Sequence, residues 1–233
     1  MRRLLRNKGQ LEARLRNSSV DVLLVQETWL SPIKDEEIRI QGFYEVGRVD
    51  RISGKKRGYG GVAVFARNGF TSIGIVKKSS DSERQWCILH THLGGILLGN
   101  WYRAPDDLLK SIASFPNELA EMDEDCIGTI VTGDLNIHHQ RWLTHSYNNT
   151  PTGQKLWEIC QEAGLQQLVR EPTRGKYLLD LVLTDLSDIT KVTILPEVAD
   201  HKIVCIDIDI AVPLHDEQSR QGWDFVKTDW PGL

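Results

Sequence analysis

The segment 128–139, GTIVTGDLNIHH, turns from apolar to reactive within a few residues. Cys126, Ile127, Ile130 and Val131 read as a strand, and Gly133 permits a sharp change of direction. Asp134, Asn136, His138 and His139 follow at once. A carboxylate, an amide and two imidazoles at a strand end can activate water, hold a cation or meet developing charge. The same residues can also do no more than satisfy backbone N–H groups in a turn.

Four further places repeat the pattern. Glu27 follows an apolar run at 20–25, and Asn100 with Tyr102 ends another at 96–100. Asp180 is embedded in LLDLVLT, and Asp200-His201 precedes the run 203–208. An ionised group inside an apolar strand is costly unless paired or metal-bound, so Asp180 requires a partner, and His201 is a natural one. Glu27 and Asp200 are hard oxygen donors of the kind that take Mg2+ or Mn2+.

The elements that must position these groups follow from periodicity. Residues 3–17 place Leu4, Leu5, Leu11 and Leu15 on one helical face. Further helices are expected at 106–122, bent at Pro116, and at 153–163, ending at Gly164. Strands are expected at 20–25, 43–46, 60–66, 70–76, 85–93, 96–100, 165–169, 178–184, 192–195 and 203–208. Asn68-Gly69 reads as a hairpin turn joining the strands at 60–66 and 70–76. Two basic loops, 47–58 and 170–177, suit either a solvated tip or contact with phosphate. This mixture of hairpins and helices predicts an α/β protein with mixed sheets. One domain over 1–210 is expected, with 211–233 a polar tail or linker.

Bulk composition narrows the class. The chain has 233 residues and a formal net charge of -4, which argues against a DNA-coating protein but not against a nuclease with local basic patches. No apolar run is long enough to span a membrane, and the basic amino end lacks the apolar segment of a secretion signal. Cys87, Cys126, Cys160 and Cys205 are widely spaced with no CxxC pair, which predicts free thiols in a reducing compartment.

In order along the chain, QET at 26–28, NWYRAP at 100–105, GDLNIHH at 133–139, PTRGKYLLDLVLTD at 172–185 and ADH at 199–201 resemble the endonuclease/exonuclease/phosphatase superfamily. The nearest likeness within it is the apurinic-type endonuclease domain of non-LTR retrotransposon polyproteins. The resemblance implies a four-layer α/β/β/α sandwich of two mixed sheets with the site at one edge. It implies Glu27 as principal metal ligand, Asp200 as a contributor to metal or water, and Mg2+ as cofactor with Mn2+ a substitute. Asp134 would orient or deprotonate the attacking water with Asn136 beside it. His201, oriented by Asp180, would contact the scissile phosphate, and Tyr102 and Asn100 would support the phosphate side.

Double-stranded DNA is the implied substrate, with His138, His139, Arg103, Arg174, Lys55, Lys56 and Arg57 as candidate contacts. The tail GWDFVKTDW at 222–230 resembles the segment leading toward a reverse transcriptase domain in a longer parent protein. An intracellular, nuclear location goes with chromosomal DNA. Two rival expectations remain: an inactive truncated remnant that folds or binds nucleic acid weakly, and a phosphoesterase acting on a small-molecule or lipid phosphate. The remnant reading rests on a departure, because the family's first core strand and its asparagine would precede the LLRNK segment at 4–8. The resemblance therefore implies a gap in one sheet. Ala199 also stands where a serine is usual.

Overall fold

Period-two alternation sends neighbouring strand residues into different cores. In the computed structural model, Val64 and Ala66 join one apolar cluster while Ala63 and Phe65 join another. Val22 and Leu24 side with the first pair, Leu23 and Val25 with the second. Residues 4–30, 38–51, 59–79, 82–107, 109–122 and 125–213 are described by the structure. The order begins α1 (Leu4–Leu15), β1 (Val22–Gln26), β2 (Phe43–Val49), β3 (Val62–Arg67), β4 (Ile73–Ser79), β5 (Arg84–Thr91) and β6 (Gly94–Trp101). It continues with α2 (Lys110–Met122), β7 (Cys126–Asp134), α3 (Pro151–Glu162), β8 (Gln166–Gln167), β9 (Asp180–Thr184), β10 (Thr190–Val198) and β11 (His201–Ile208).

The larger sheet runs β4-β5-β6-β7-β9-β8. Only β6 and β7 pair in parallel in it, and α2 is the crossover that parallel neighbours require. Ile112, Phe115 and Leu119 of α2 and Leu156 and Ile159 of α3 pack into the core of this sheet. The facing layer consists of an antiparallel β1-β3-β2 sheet and a separate antiparallel pair, β10-β11. Both contribute apolar side chains to the same central cluster, Val22 and Leu24 from one and Val192, Ile194, Val204 and Ile206 from the other. On the outside of β1 and β3, α1 buries Leu4, Leu11 and Leu15, while Leu5, expected on the same face, is 49% exposed. The result is the expected four-layer α/β/β/α sandwich, with the smaller layer divided. Among the described residues, β1 pairs only with β3 and β11 only with β10.

Several local signals take the expected form but with different partners. Asn68-Gly69 does turn the chain, with Gly69 at φ +87° and the Phe70 N–H donating to Arg67 O at 2.9 Å. It joins no hairpin, because β3 pairs in the small layer and β4 pairs with β5 in the large one. The expected strand at 165–169 shrinks to the two residues of β8. The one expected at 192–195 extends through Pro196, where the register shifts between Leu195 and Glu197, as a residue without an N–H requires. α3 starts earlier than expected: Thr150 accepts the Gly153 N–H at 3.0 Å and Pro151 occupies the first turn. The chain stays attached past residue 210, since Ser72 Oγ donates to Pro213 O at 2.8 Å and the His92 N–H to Ala211 O at 3.2 Å.

Candidate active site

The strand ends that carry polar groups in the sequence converge at one edge of the sandwich. β7 and β9 run antiparallel with Asp134 opposite Asp180, so the last residue of one strand meets the first of the other. Gly133 makes this possible: at φ +154°, a Cβ there would lie 1.7 Å from Trp101 O. The Arg103 N–H donates to Asp134 O at 2.9 Å and the Leu135 N–H to Leu179 O at 3.0 Å, pinning the backbone of Asp134 and of the residue after it.

His201 opens β11 and completes the group. Its Nδ1 lies 2.8 Å from Asp180 Oδ2, and a carboxylate only accepts, so Nδ1 carries the proton. Its Nε2 then faces Asp134, 3.7 Å from Oδ2. Thr173 Oγ1 accepts the backbone N–H groups of Leu179 and Asp180, each at 3.1 Å, and fixes the approach to β9. Three titratable groups thus sit together, all under 10% exposed.

Their charges are interdependent. Burial first, and then the charge of Asp180, push the Asp134 carboxyl up to about 7, with His201 pulling the other way. Burial alone would raise Asp180, but the His201 hydrogen bond and charge and the Thr173 hydroxyl hold it below the usual carboxylate range. Burial would lower His201, yet the Asp180 hydrogen bond and the charges of Asp180 and Asp134 outweigh it and raise the imidazole. Asp180 is thus held as a carboxylate, while Asp134 and His201 are both shifted toward holding a proton.

Opposite stands a second arm. The Tyr102 hydroxyl donates to Glu27 Oε1 at 2.7 Å, and burial followed by the Glu27 charge keep the phenol neutral. The Glu27 charge adds to those that raise Asp134.

A cation was expected at Glu27 and Asp200. Among the described residues, three donor atoms that lie within 4.8 Å of one another belong to Asp134, Asp180 and His201. Asp200 Oδ2 is engaged by Arg174 Nη2 at 2.6 Å. Asp134 Oδ1 and His201 Nε2 are buried with no hydrogen-bond partner. A hard divalent cation would satisfy the Asp134 oxygen and a phosphate oxygen the His201 N–H, so these residues fit a metal-bound phosphate.

The other expected residues divide. Asn136 lies beside the centre at φ +46°, its Nδ2 donating to Arg103 O at 3.0 Å. Asn100 is fully buried and acts as a strut between layers, its Nδ2 donating to Ala63 O at 3.0 Å and its Oδ1 accepting from Gln26 Nε2 at 2.7 Å. It is not placed to meet a phosphate. Arg103, 3% exposed, donates to the carbonyls of Leu135, Asn136 and Asp107 and shapes the loop after β7 instead of reaching outward to DNA. His139 is 2% exposed, stacked on Trp157 with Gln154 on Nε2, so its role is packing. Lys55, Lys56 and Arg57 lie outside the described residues.

His138 stays accessible, and its surroundings escaped sequence reading. Its ring lies 4.3 Å from that of Tyr147 and 5.5 Å from that of Tyr177, with Tyr147 61% exposed. The loop that carries it is clamped to α3, where a Cβ on Gly153 would come within 2.3 Å of His138 O. Tyr147 and Tyr177 sit in irregular segments with no periodicity to mark them, although Thr150-Pro151 announces the helix start that fixes the loop.

The Endonuclease/Exonuclease/phosphatase family model matches residues 2–191. The chain belongs to this family. Among solved structures, the endonuclease domain of TRAS1, a telomere-specific non-LTR retrotransposon, is 16% identical with a TM-score of 0.64, covering 90% of this chain and 94% of that one. A mannosyl-6-phosphatase, Bt3783 of Bacteroides thetaiotaomicron, is 15% identical with a TM-score of 0.59, covering 87% and 90%. A family protein from Bacteroides vulgatus is 13% identical with a TM-score of 0.61, covering 89% and 91%. Identities of this size speak for the fold. Among curated proteins, none matches the sequence significantly.

Proposed function

We propose that this chain hydrolyses phosphodiester bonds and nicks double-stranded DNA with the help of Mg2+, for which Mn2+ can substitute. The observation that carries the reading is the buried Asp134–His201–Asp180 group with its two unpartnered polar atoms, Asp134 Oδ1 and His201 Nε2. Glu27 and Asp134 would hold the cation, which supplies charge stabilisation at the phosphoryl oxygens when bound. Asp134 orients the attacking water and takes its proton. The water oxygen forms a new bond to phosphorus as the bond to the leaving sugar oxygen breaks. His201, held by Asp180 through Nδ1–H and favoured as the imidazolium, would present Nε2–H to a phosphoryl oxygen and meet the charge that develops there. The neutral Tyr102 hydroxyl keeps the Glu27 carboxylate oriented.

DNA is favoured over a small phosphoester by the surroundings of the centre. His138, Tyr147 and Tyr177 offer ring faces of the kind on which bases stack, and Lys176 lies against Tyr177 with its Nζ 5.3 Å from the ring. Arg174 lies in the same hairpin as a phosphate contact. A reverse transcriptase domain in a longer parent, and work in the nucleus, go with this reading. The test is a substrate panel: supercoiled plasmid, a sugar phosphate, an inositol phosphate and a lipid phosphodiester, each with Mg2+ and then EDTA. Plasmid nicking abolished by EDTA supports the proposal. Turnover of a small phosphoester without nicking replaces it with the phosphoesterase reading, and a folded chain without turnover replaces it with the inactive one.

A further inference from the structure

A buried carboxylate outside the Asp134–His201 centre holds together the opposite arm of the site. Glu83, 5% exposed, adopts φ +45°, where a non-glycine residue is strained. One carboxylate oxygen takes Arg51 Nε at 2.5 Å and pairs with Arg51 Nη2 as well. The other accepts the Gly61 N–H at 2.5 Å. Its backbone carbonyl accepts the Tyr102 N–H at 3.0 Å.

Each of these partners leads to Glu27. Gly60 O accepts the Trp29 N–H at 2.9 Å and Gly61 O the Thr28 N–H at 3.3 Å, fixing the chain just past Glu27. Glu27 and Trp29 are themselves left-handed, at φ +53° and +58°, so this turn persists only because something external holds it. Room at Gly60 and Gly61 is correspondingly tight: a Cβ would meet Glu83 Oε2 at 2.2 Å or Thr28 Oγ1 at 2.7 Å. Tyr102 reaches Glu27 directly. Arg51, its side chain 31% exposed, lies with its guanidinium carbon 5.8 Å from the Tyr102 ring centroid. With Nε and Nη2 turned onto Glu83, the planar fork is set in one orientation at the rim of the site.

We infer that Glu83 is a positioning residue that sets the Glu27 carboxylate and the Arg51 guanidinium on one side of the substrate phosphate, Glu27 toward a divalent cation and Arg51 toward a neighbouring backbone phosphate. The inference rests on the reading in which Glu27 holds that cation. A purely structural role for Glu83 would change stability and leave cation affinity and salt dependence where they were. Supporting residues behind metal ligands are worth about 10- to 100-fold in metal affinity or activity. Each phosphate contact contributes a slope of about 0.9 in log K against log salt on duplex DNA.

The test uses Mn2+ as probe, its binding to the full chain read from the free-ion electron paramagnetic resonance signal, and DNA affinity measured across a salt series. Glu83→Gln keeps the shape and an acceptor for Gly61 but loses the charge that holds Arg51. It should weaken Mn2+ by about tenfold or more. Arg51→Gln, on a partly exposed side chain, should lower the salt slope by about 0.9. Unchanged Mn2+ affinity in the first variant, or an unchanged slope in the second, overturns the inference. If the wild type binds Mn2+ and nicks plasmid while both variants match it, only this inference falls. If the wild type binds no Mn2+, the metal reading of Glu27 falls and takes this inference with it.

Discussion

The two faces of the sandwich hold the site with different firmness. β9 is buried at all five positions, and Asp180 at its start is paired across to Asp134 on the equally enclosed end of β7. β11 is half-buried along most of its length, and β1 is fully buried only at Val25. Among the described residues, each of these two pairs along a single edge. Asp134 and Asp180 therefore stand on a continuous, packed sheet, while Glu27 and His201 come from the divided layer. Their geometry depends less on strand pairing and more on side-chain ties: Asp180 for His201, Tyr102 for Glu27. The site straddles a stiff half and a lightly held half.

Perturbing the stiff half should cost most. Gly133→Ala forces a Cβ onto Trp101 O at the β6–β7 junction. It is expected to destabilise by more than about 4 kcal/mol in urea unfolding, and a loss under about 1 kcal/mol would show that the junction yields. Glu118→Gln leaves the fully buried Arg84 without its counter-charge, at a cost of about 3 kcal/mol. Burial would raise the Glu118 pKa, but hydrogen bonds and charge from Arg84 prevail and lower it. A depressed carboxylate stabilises above its unfolded value and loses that contribution as pH falls through the folded one. The gap between wild type and Glu118→Gln should thus be full at neutral pH and shrink below about 4.5, the ordinary glutamate value. A gap independent of pH contradicts the assignment.

Two smaller tests compare the halves directly. Leu183→Ala in β9, at a fully buried position, should cost about 3 kcal/mol, and Ile206→Ala in half-buried β11 about 1 kcal/mol. Equal losses would dissolve the contrast. By hydrogen exchange, amides of β7 and β9 should outlast those of β11. Least in effect, the Cys87 thiol, raised by burial to about 12, should resist alkylation in the native protein at pH 8 and react on unfolding.

How far the sequence disclosed this arrangement can be judged from particular residues. Glu27, Asp134, Asp180 and His201 were legible because a charged group ending or interrupting an apolar strand needs a reason. Helix and strand periods pointed to an α/β protein with mixed sheets, and the family likeness supplied the four layers. Asn100, Arg103 and His139 misled because polarity beside a site says nothing about direction. One spans the layers, one shapes a loop, and one is packed against Trp157. Asn68-Gly69 displayed its turn but not that the strands it joins belong to different sheets, since strand pairing is a long-range choice. Glu83 gave no signal at all; its importance lies in a left-handed φ and three partners distant in sequence.

The central claim is that Asp134, on the stiff half, and His201, on the lightly held half, act together in Mg2+-dependent phosphodiester hydrolysis. Nicking of supercoiled plasmid by wild type, Asp134→Ala, His201→Ala and the double variant measures it most directly. The account predicts EDTA-sensitive nicking by the wild type, a fall of about a hundredfold or more in each single variant, and little further loss in the double. Nicking that is absent in the wild type, or that survives Asp134→Ala, would contradict it.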